Sequence, residues 1–321
     1  MSIKIGNKMK PSYISLFETG ELERRVKKAI QLLERCTLCP RRCAVNRLKG
    51  EKGFCRTARK AIVASYNPHF GEEAPLVGKY GSGTIFISSC NLLCSFCQNY
   101  EISHLMEGVE VEAEQLAYMM LNLQNMGCHN INFVTPTHVV PQILEALLIA
   151  VKEGLNVPLV YNSGGYDSKE TIMLLEGIFD IYMPDFKFWD SKWSKRYMNA
   201  PDYRERAIES IKEMHRQVGD LIINKDGIAE RGLIIRHLVM PNGIAGTENI
   251  MKFIAEELSP NTYVNIMDQY RPCGKAVDDP IINRMITAKE YREAIEYAHK
   301  AGLKRLDSRE ERILRIFRRL L

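Results

Sequence analysis

From residue 84 onward, strand-like and helix-like segments alternate, and this alternation constrains the fold more than any other feature of the chain. Runs rich in β-branched and aromatic residues stand at 84–89, 130–135, 159–162, 178–185, 232–240 and 262–267. Between and after them, apolar residues recur at helical spacing over 112–126, 141–153, 168–176, 203–218, 246–258 and 288–300. Ile143, Leu144, Leu147, Leu148 and Val151 give one of these helices a buried face. Pro141 suits its first turn, and Gly127 and Gly154 stand where helix ends call for a positive φ. Successive βα units imply a parallel sheet, because each strand needs a crossover helix before the next parallel one. A full eight-unit barrel takes ~250 residues, and the six units over 84–300 fall short of that. The expected fold is therefore α/β, a partial, open (βα)6 barrel. Rossmann-like winding is the alternative, but no Gly-x-Gly-x-x-Gly follows the first strand.

Three regions follow from this: an extension over 1–60, the barrel over 61–301, and a terminal segment over 302–321. The extension carries one amphipathic helical stretch at 17–34, with Leu22, Val26, Ile30 and Leu33 along one face. A Cys- and Arg-rich segment follows at 36–60. Short strands at 61–65 and 75–80 lead into the barrel. The terminal segment sets Arg309, Arg312, Arg315 and Arg319 beside Ile313, Leu314, Ile316, Phe317 and Leu320. It reads as an amphipathic docking helix and not a membrane anchor, since Glu310 and Glu311 interrupt its charge. No apolar run approaches the ~20 residues that cross a bilayer, and residues 1–11 lack the apolar stretch of a secretory signal. The expected location is the cytoplasm, with no membrane partner.

Nine cysteines in such a chain read as metal ligands and not as a disulfide framework, because the cytosol keeps thiols reduced. Seven fall in two groups. The first strand runs directly into Cys90, Cys94 and Cys97, a C-x3-C-x2-C spacing. Three thiolates so close in sequence can each hold one iron of a [4Fe-4S] cubane and leave the fourth iron without a protein ligand. An open coordination position separates a catalytic metal centre from a closed structural one. A zinc knot or three neighbouring buried thiols is the alternative.

The other group, Cys36, Cys39, Cys43 and Cys55, offers four thiolates, enough to close a zinc site or fully ligate a second iron–sulfur cluster. Spacing does not separate the two. Its surroundings are basic: the chain carries a net charge of +5, yet residues 36–60 alone carry +7. That patch suits an acidic electron donor of the flavodoxin or ferredoxin kind. A nucleic acid partner is not expected, since Phe54 alone supplies a stacking surface there. Cys128, between a helix end and a strand, reads as a small buried hydrophobe.

The cysteine loop, with Phe96 just before its third cysteine, resembles the signature of the radical S-adenosylmethionine (SAM) superfamily. The likeness continues through Tyr66 to His104, with His69, Gly71, Glu72, Gly81-Ser82-Gly83 and Cys97-Gln98-Asn99-Tyr100. It recurs at Thr135-Pro136-Thr137-His138, Tyr182-Met183-Pro184-Asp185-Phe186-Lys187, His237-Leu238-Val239-Met240-Pro241 and Gln269-Tyr270-Arg271-Pro272-Cys273-Gly274-Lys275. These stretches are similar to radical SAM proteins of the pyruvate formate-lyase activating type, the relatives of glycyl-radical activases. The resemblance implies a [4Fe-4S] cluster and SAM as cofactors, with the free iron chelating SAM. Reductive cleavage of SAM then gives a 5′-deoxyadenosyl radical that abstracts hydrogen. It implies a protein or peptide substrate, although a small molecule or nucleic acid stays open because the superfamily fixes only the radical source. A non-catalytic electron-transfer or metal-binding protein, and a zinc-clip nucleic acid binder, are the competing classes.

In a parallel barrel, chemistry gathers at the C-terminal strand ends, and each expected strand here ends in polar residues. The resemblance makes Asp185 and Lys187 an Asp-x-Lys element in which the lysine contacts SAM and the aspartate helps hold a monovalent cation. Asn162 and Ser163 stand where the activases carry an Asp-Thr pair. Thr135 stands where Gly-Gly-Glu usually holds the SAM amino group, and its hydroxyl can accept from an ammonium. Arg236, His237 and Tyr270 complete the expected cofactor contacts. Lys187, His138, Arg271 and Cys273 are the candidate catalytic groups: His138 as a proton-handling residue, Arg271 to pair with a carboxylate, and Cys273 to donate hydrogen or touch the substrate.

Overall fold

In the computed structural model, residues 9–307 are described. Among the described residues ten strands form one open sheet: β1 (Ala61–His69), β2 (Ser82–Ile87), β3 (Val109–Val111), β4 (Ile131–Val134), β5 (Leu159–Ser163), β6 (Ile181–Pro184), β7 (Ile222–Ile223), β8 (Ala229–Leu238), β9 (Tyr263–Met267) and β10 (Arg305–Leu306). The main path runs β10-β9-β8-β6-β5-β4-β2-β1-β3, with β7 paired to β8 off that path. Neighbours from β2 through β10 along it are parallel, while β1 is antiparallel to both β2 and β3. The expected mixed α/β fold with an open parallel sheet is thus what the chain adopts. Helices cross between the parallel strands as the 3.6-residue periodicity requires. One of them, Val140–Lys152, is buried along Ile143, Leu144 and Leu147 and has proline in its first turn.

Several expectations need correction. The single helix expected at 17–34 is two, Ser12–Glu18 and Glu21–Gln31, broken at Gly20, whose φ of +76° belongs to the left-handed region. The strand expected at 75–80 is a short helix, Ala74–Val77, with Pro75 in its first turn. A four-residue apolar run carries no periodicity by which strand and helix can be told apart. The strand expected at 61–65 extends to His69. The six expected parallel strands become seven, because β10 adds a short strand beyond the helix Ala288–Ala301. The basic terminal helix expected at 302–321 lies, from residue 308 on, outside the described residues.

The extension shares the barrel's core. Tyr13, Leu22, Val26 and Ala29 belong to the same buried cluster as Ile143, Leu147, Phe133 and Phe179. Tyr13 donates to the Val157 carbonyl at 2.9 Å, and the Ser12 amide donates to Asp180 Oδ1 at 3.1 Å. No helix among the described residues is long and apolar enough to cross a membrane.

Candidate cluster and cofactor site

At the C-terminal ends of the parallel strands lies a cavity of about 340 Å3, lined among others by Cys94, Cys97, Asn162, Asp185, Lys187 and Arg236. That is room for a ligand the size of a small cofactor. The cysteine loop reaches it through a tight backbone path, with Ser89 and Leu93 at φ of +70° and +50°. Ser95 N donates to the Tyr197 carbonyl at 2.9 Å, and Ser89 N to the Ile102 carbonyl at 2.8 Å. Phe96 is buried against Phe188, Tyr197 and Tyr270, which anchors the loop between the second and third cysteines.

All three cysteines are free thiols. Leu92 N donates to Cys90 Sγ at 3.3 Å, and the Ser103 hydroxyl to Cys97 Sγ at 3.2 Å. Burial pushes the Cys94 thiol up, against the opposing pull of Lys187, so a metal is what would hold it as thiolate. Among the described residues no three His, Cys, Asp or Glu side chains are grouped to hold a single ion. A cubane asks for something else, since each thiolate takes a separate iron. The donor chemistry and the adjoining cavity fit a cluster with one iron open to the cavity.

The opposite wall is a buried charge network. Asp185 accepts from Lys187 Nζ at 2.5 Å and from Arg236 Nε at 2.8 Å, while Arg236 Nη2 donates to Asn162 Oδ1 at 2.6 Å. Burial alone would raise the Asp185 carboxyl, but Arg236 and Lys187 outweigh it and hold it below the usual carboxylate range. Burial lowers Lys187, and Asp185 more than reverses this. Glu72 Oε2 lies 3.8 Å from Arg236 Nη1. Its carboxyl is pushed well up by burial and by the neighbouring Glu73, against the pull of Arg236. Lys187 and Arg236 are the cations of this wall, held by Asp185 and, for Arg236, also by Glu73 and Glu72, and they are the groups that would meet a ligand's carboxylate.

The remaining candidates are placed as follows. Ser163 is engaged elsewhere: with Tyr161 and Thr137 it donates to the buried Asp167, at 2.6, 2.9 and 2.7 Å. Thr135 follows β4 and is half-buried, with Val134 and not Thr135 lining the cavity. His237 is wholly buried, donating from Nδ1 to the Phe186 carbonyl at 2.7 Å and accepting at Nε2 from Thr247 at 2.9 Å. It ties β8 to the following helix. Tyr270 donates to the Ile282 carbonyl at 2.7 Å and packs behind the cysteine loop. Arg271 is exposed and Cys273 half-buried, and neither lines the cavity. His138 lines a different pocket, beside Cys36, Cys39, Cys43 and Cys55. Asn162, Asp185, Lys187 and Arg236 are therefore the group that the fold brings together with the cysteine loop.

Several lining residues are not among the site candidates that sequence reasoning offers: His69 at the end of β1, Glu72 beyond it, Gln98 and Asn99 after the third cysteine, and Gln269 after β9. The signal for Glu72 was present as an acidic pair with Glu73 after a strand, but the strand itself was placed too short.

Comparison with known proteins shows what the chain is similar to. A family model described as the Radical SAM superfamily matches residues 84–228. An uncharacterized protein of Methanocaldococcus jannaschii, MJ0674, is 36% identical over 291 residues, covering 88% of this chain and 79% of that protein. A second from the same organism, MJ0808, is 25% identical over 266 residues, covering 77% and 73%. Among solved structures, HydG, a maturase of the [FeFe]-hydrogenase, aligns with a TM-score of 0.44 at 11% identity, covering 68% of this chain and 49% of HydG. QueE from Escherichia coli aligns with a TM-score of 0.41 at 10% identity, covering 81% and 95%. At TM-scores this low, neither likeness bears on what this chain does. The family match takes in the cysteine loop and the strands that carry Asn162 and Asp185, and on that ground residues 84–228 belong to the radical SAM superfamily.

Proposed function

We propose that the protein is a radical SAM enzyme of the glycyl-radical activase kind, acting on a protein or peptide backbone. One observation carries the reading: Cys94 and Cys97 face Asp185, Lys187, Arg236 and Asn162 across a single cavity. Cys90, Cys94 and Cys97 would hold the cluster. When bound, the cluster supplies the electron that cleaves the sulfonium of SAM and so yields the hydrogen-abstracting radical. Lys187 and Arg236 bind and orient the SAM carboxylate, and Asp185 fixes both cations so that neither swings away. Asn162 keeps the Arg236 guanidinium in plane through its Oδ1. Phe86, Leu238 and Met267 line the cavity's apolar part and exclude water from the reacting centre.

The peptide reading is supported by the long resemblance to the activases and by three amide side chains, Gln98, Asn99 and Gln269, on the cavity wall. Side-chain amides pair readily with backbone amides. An acidic flavodoxin- or ferredoxin-type donor and a second metal centre at Cys36, Cys39, Cys43 and Cys55 belong to the same proposal. The test is anaerobic: reconstitute the cluster, reduce it, add SAM and measure 5′-deoxyadenosine. We expect formation in the wild type and none in Cys94→Ala. A fully loaded cluster that cleaves no SAM under any reductant would overturn the enzyme reading in favour of electron transfer. For the substrate, candidate polypeptides labelled with deuterium at glycine Cα are added. Deuterium entering 5′-deoxyadenosine supports the peptide reading, and turnover without label directs the search to small molecules.

A further inference from the structure

Tyr100, Ser103 and His104 follow the third cysteine, and none of them lines the cavity. A short helix, Tyr100–Ser103, turns the chain back beside Cys97. Within it Ser103 N donates to the Asn99 carbonyl at 2.9 Å, and His104 N to the Tyr100 carbonyl at 2.8 Å. This turn brings the hydroxyl of Ser103, a residue only 6% exposed, to 3.2 Å from Cys97 Sγ. The same oxygen lies 2.9 Å from His104 Nδ1.

Both residues are fixed from outside the helix. Arg56 Nη2 donates to the Ser103 carbonyl at 3.0 Å. The His104 ring stacks on Tyr100, with centroids 4.2 Å apart and planes within 9°. Gly274 closes on that tyrosine, since a Cβ there would stand 2.5 Å from its Cδ2. His104 Nε2 sits 3.2 Å from the Leu93 carbonyl, inside the cysteine loop itself.

Counting hydrogens shows a competition. A carbonyl only accepts, so His104 Nε2 carries the hydrogen of that contact. Burial, Arg56 and Lys275 disfavour a second proton on the ring and outweigh the Leu93 carbonyl, which favours it. Nδ1 is then a bare acceptor. The Ser103 hydroxyl has one hydrogen and two neighbours able to accept it, the Cys97 sulfur and His104 Nδ1. A hydrogen bond to the sulfur of a cluster ligand favours the more negative, reduced state, and such bonds are among the factors that set a cluster's potential.

We propose that the Ser103 hydroxyl raises the reduction potential of the cluster through the Cys97 sulfur, and that His104 is a positioning residue that draws the hydroxyl hydrogen away from it. This rests on the three-cysteine cluster of the proposed function, and on neither SAM cleavage nor the substrate.

The test is an anaerobic redox titration of the reconstituted full chain without SAM, following the paramagnetic signal of the reduced cluster that Cys94→Ala lacks. Iron and sulfide are counted in each sample, so the presence of the cluster is established separately from its potential. Ser103→Ala removes the donor, and its midpoint is expected to lie more negative than the wild type's. Ser103→Thr keeps a hydroxyl and is expected to restore the wild-type value. His104→Phe keeps a ring to stack on Tyr100 but no acceptor, so its midpoint is expected to move the opposite way, to more positive potential. Opposite shifts support the proposal, because general loosening of the loop moves both variants alike. An unchanged midpoint in Ser103→Ala, or shifts of one sign in Ser103→Ala and His104→Phe, would overturn it.

Discussion

Asp185 is the residue on which the charged wall depends, because it sits between two cations that are themselves mostly buried. Replacing it by asparagine removes the carboxylate to which both Lys187 and Arg236 donate. Breaking a buried pair in this way costs about 3–5 kcal/mol, so denaturant unfolding of Asp185→Asn should show a loss of that order, along with weakened SAM binding by calorimetry. Glu72 gives a prediction of the opposite charge logic. Its folded carboxyl ionises later than it does in the unfolded chain, with Glu73, Arg236 and Asp185 around it. The unfolded state thus sheds its proton first, and stability falls as pH rises from the ordinary glutamate range, ~4.3, until the folded carboxyl ionises. Glu72→Gln should flatten that part of the stability–pH curve, and an unchanged slope would count against Glu72 as its source. The four residues that meet the cysteine loop in the cavity were legible in the sequence, because strand ends and an Asp-x-Lys spacing mark them. His138 and His237 were not placed by such reasoning: both lie at or near strand ends, but both are buried, and burial is a tertiary fact.

At the scale of elements, the sequence shows strands and helices wherever a full period can repeat. The helix Tyr203–Val218 falls where the periodicity predicts it, and the parallel strands lie within a few residues of their expected places. Failures gather in short pieces: β3 and β10 have three and two residues, too few for any alternation to appear. Two elements carry predictions. Gly165 joins β5 to the next helix at a φ of +77°, and a Cβ there would sit 2.0 Å from the Asp185 carbonyl oxygen. Gly165→Ala therefore has to displace the strand end that carries Asp185, and should lower both the unfolding midpoint and SAM affinity. A loss of stability with normal SAM affinity would detach the turn from the site. The helix Ala288–Ala301 is opened by a capping box between Thr287 and Glu290, so Thr287→Ala should cost about 1 kcal/mol, read by chemical denaturation and without effect on the cluster spectrum.

For the molecule as a whole, the basic segment at 36–60 behaves differently from its sequence. Arg41 stacks on Phe54 at 3.8 Å and donates to the Met198 carbonyl at 2.8 Å, Arg56 donates to the Ser103 carbonyl at 3.0 Å, and Arg59 and Lys60 pair with Glu145 and Glu112. Much of the local charge is thus bound up in attaching the extension to the barrel, which a charge count does not reveal. The sheet to which it is attached never closes on itself, and among the described residues its two rims are β3 and β10. An unclosed sheet offers its outermost backbone groups to any other chain, and long flat rims are where proteins stick to copies of themselves. Here the two outermost strands are only three and two residues long. The openness that leaves room for a cofactor thus comes with outermost strands too short to template much pairing by themselves.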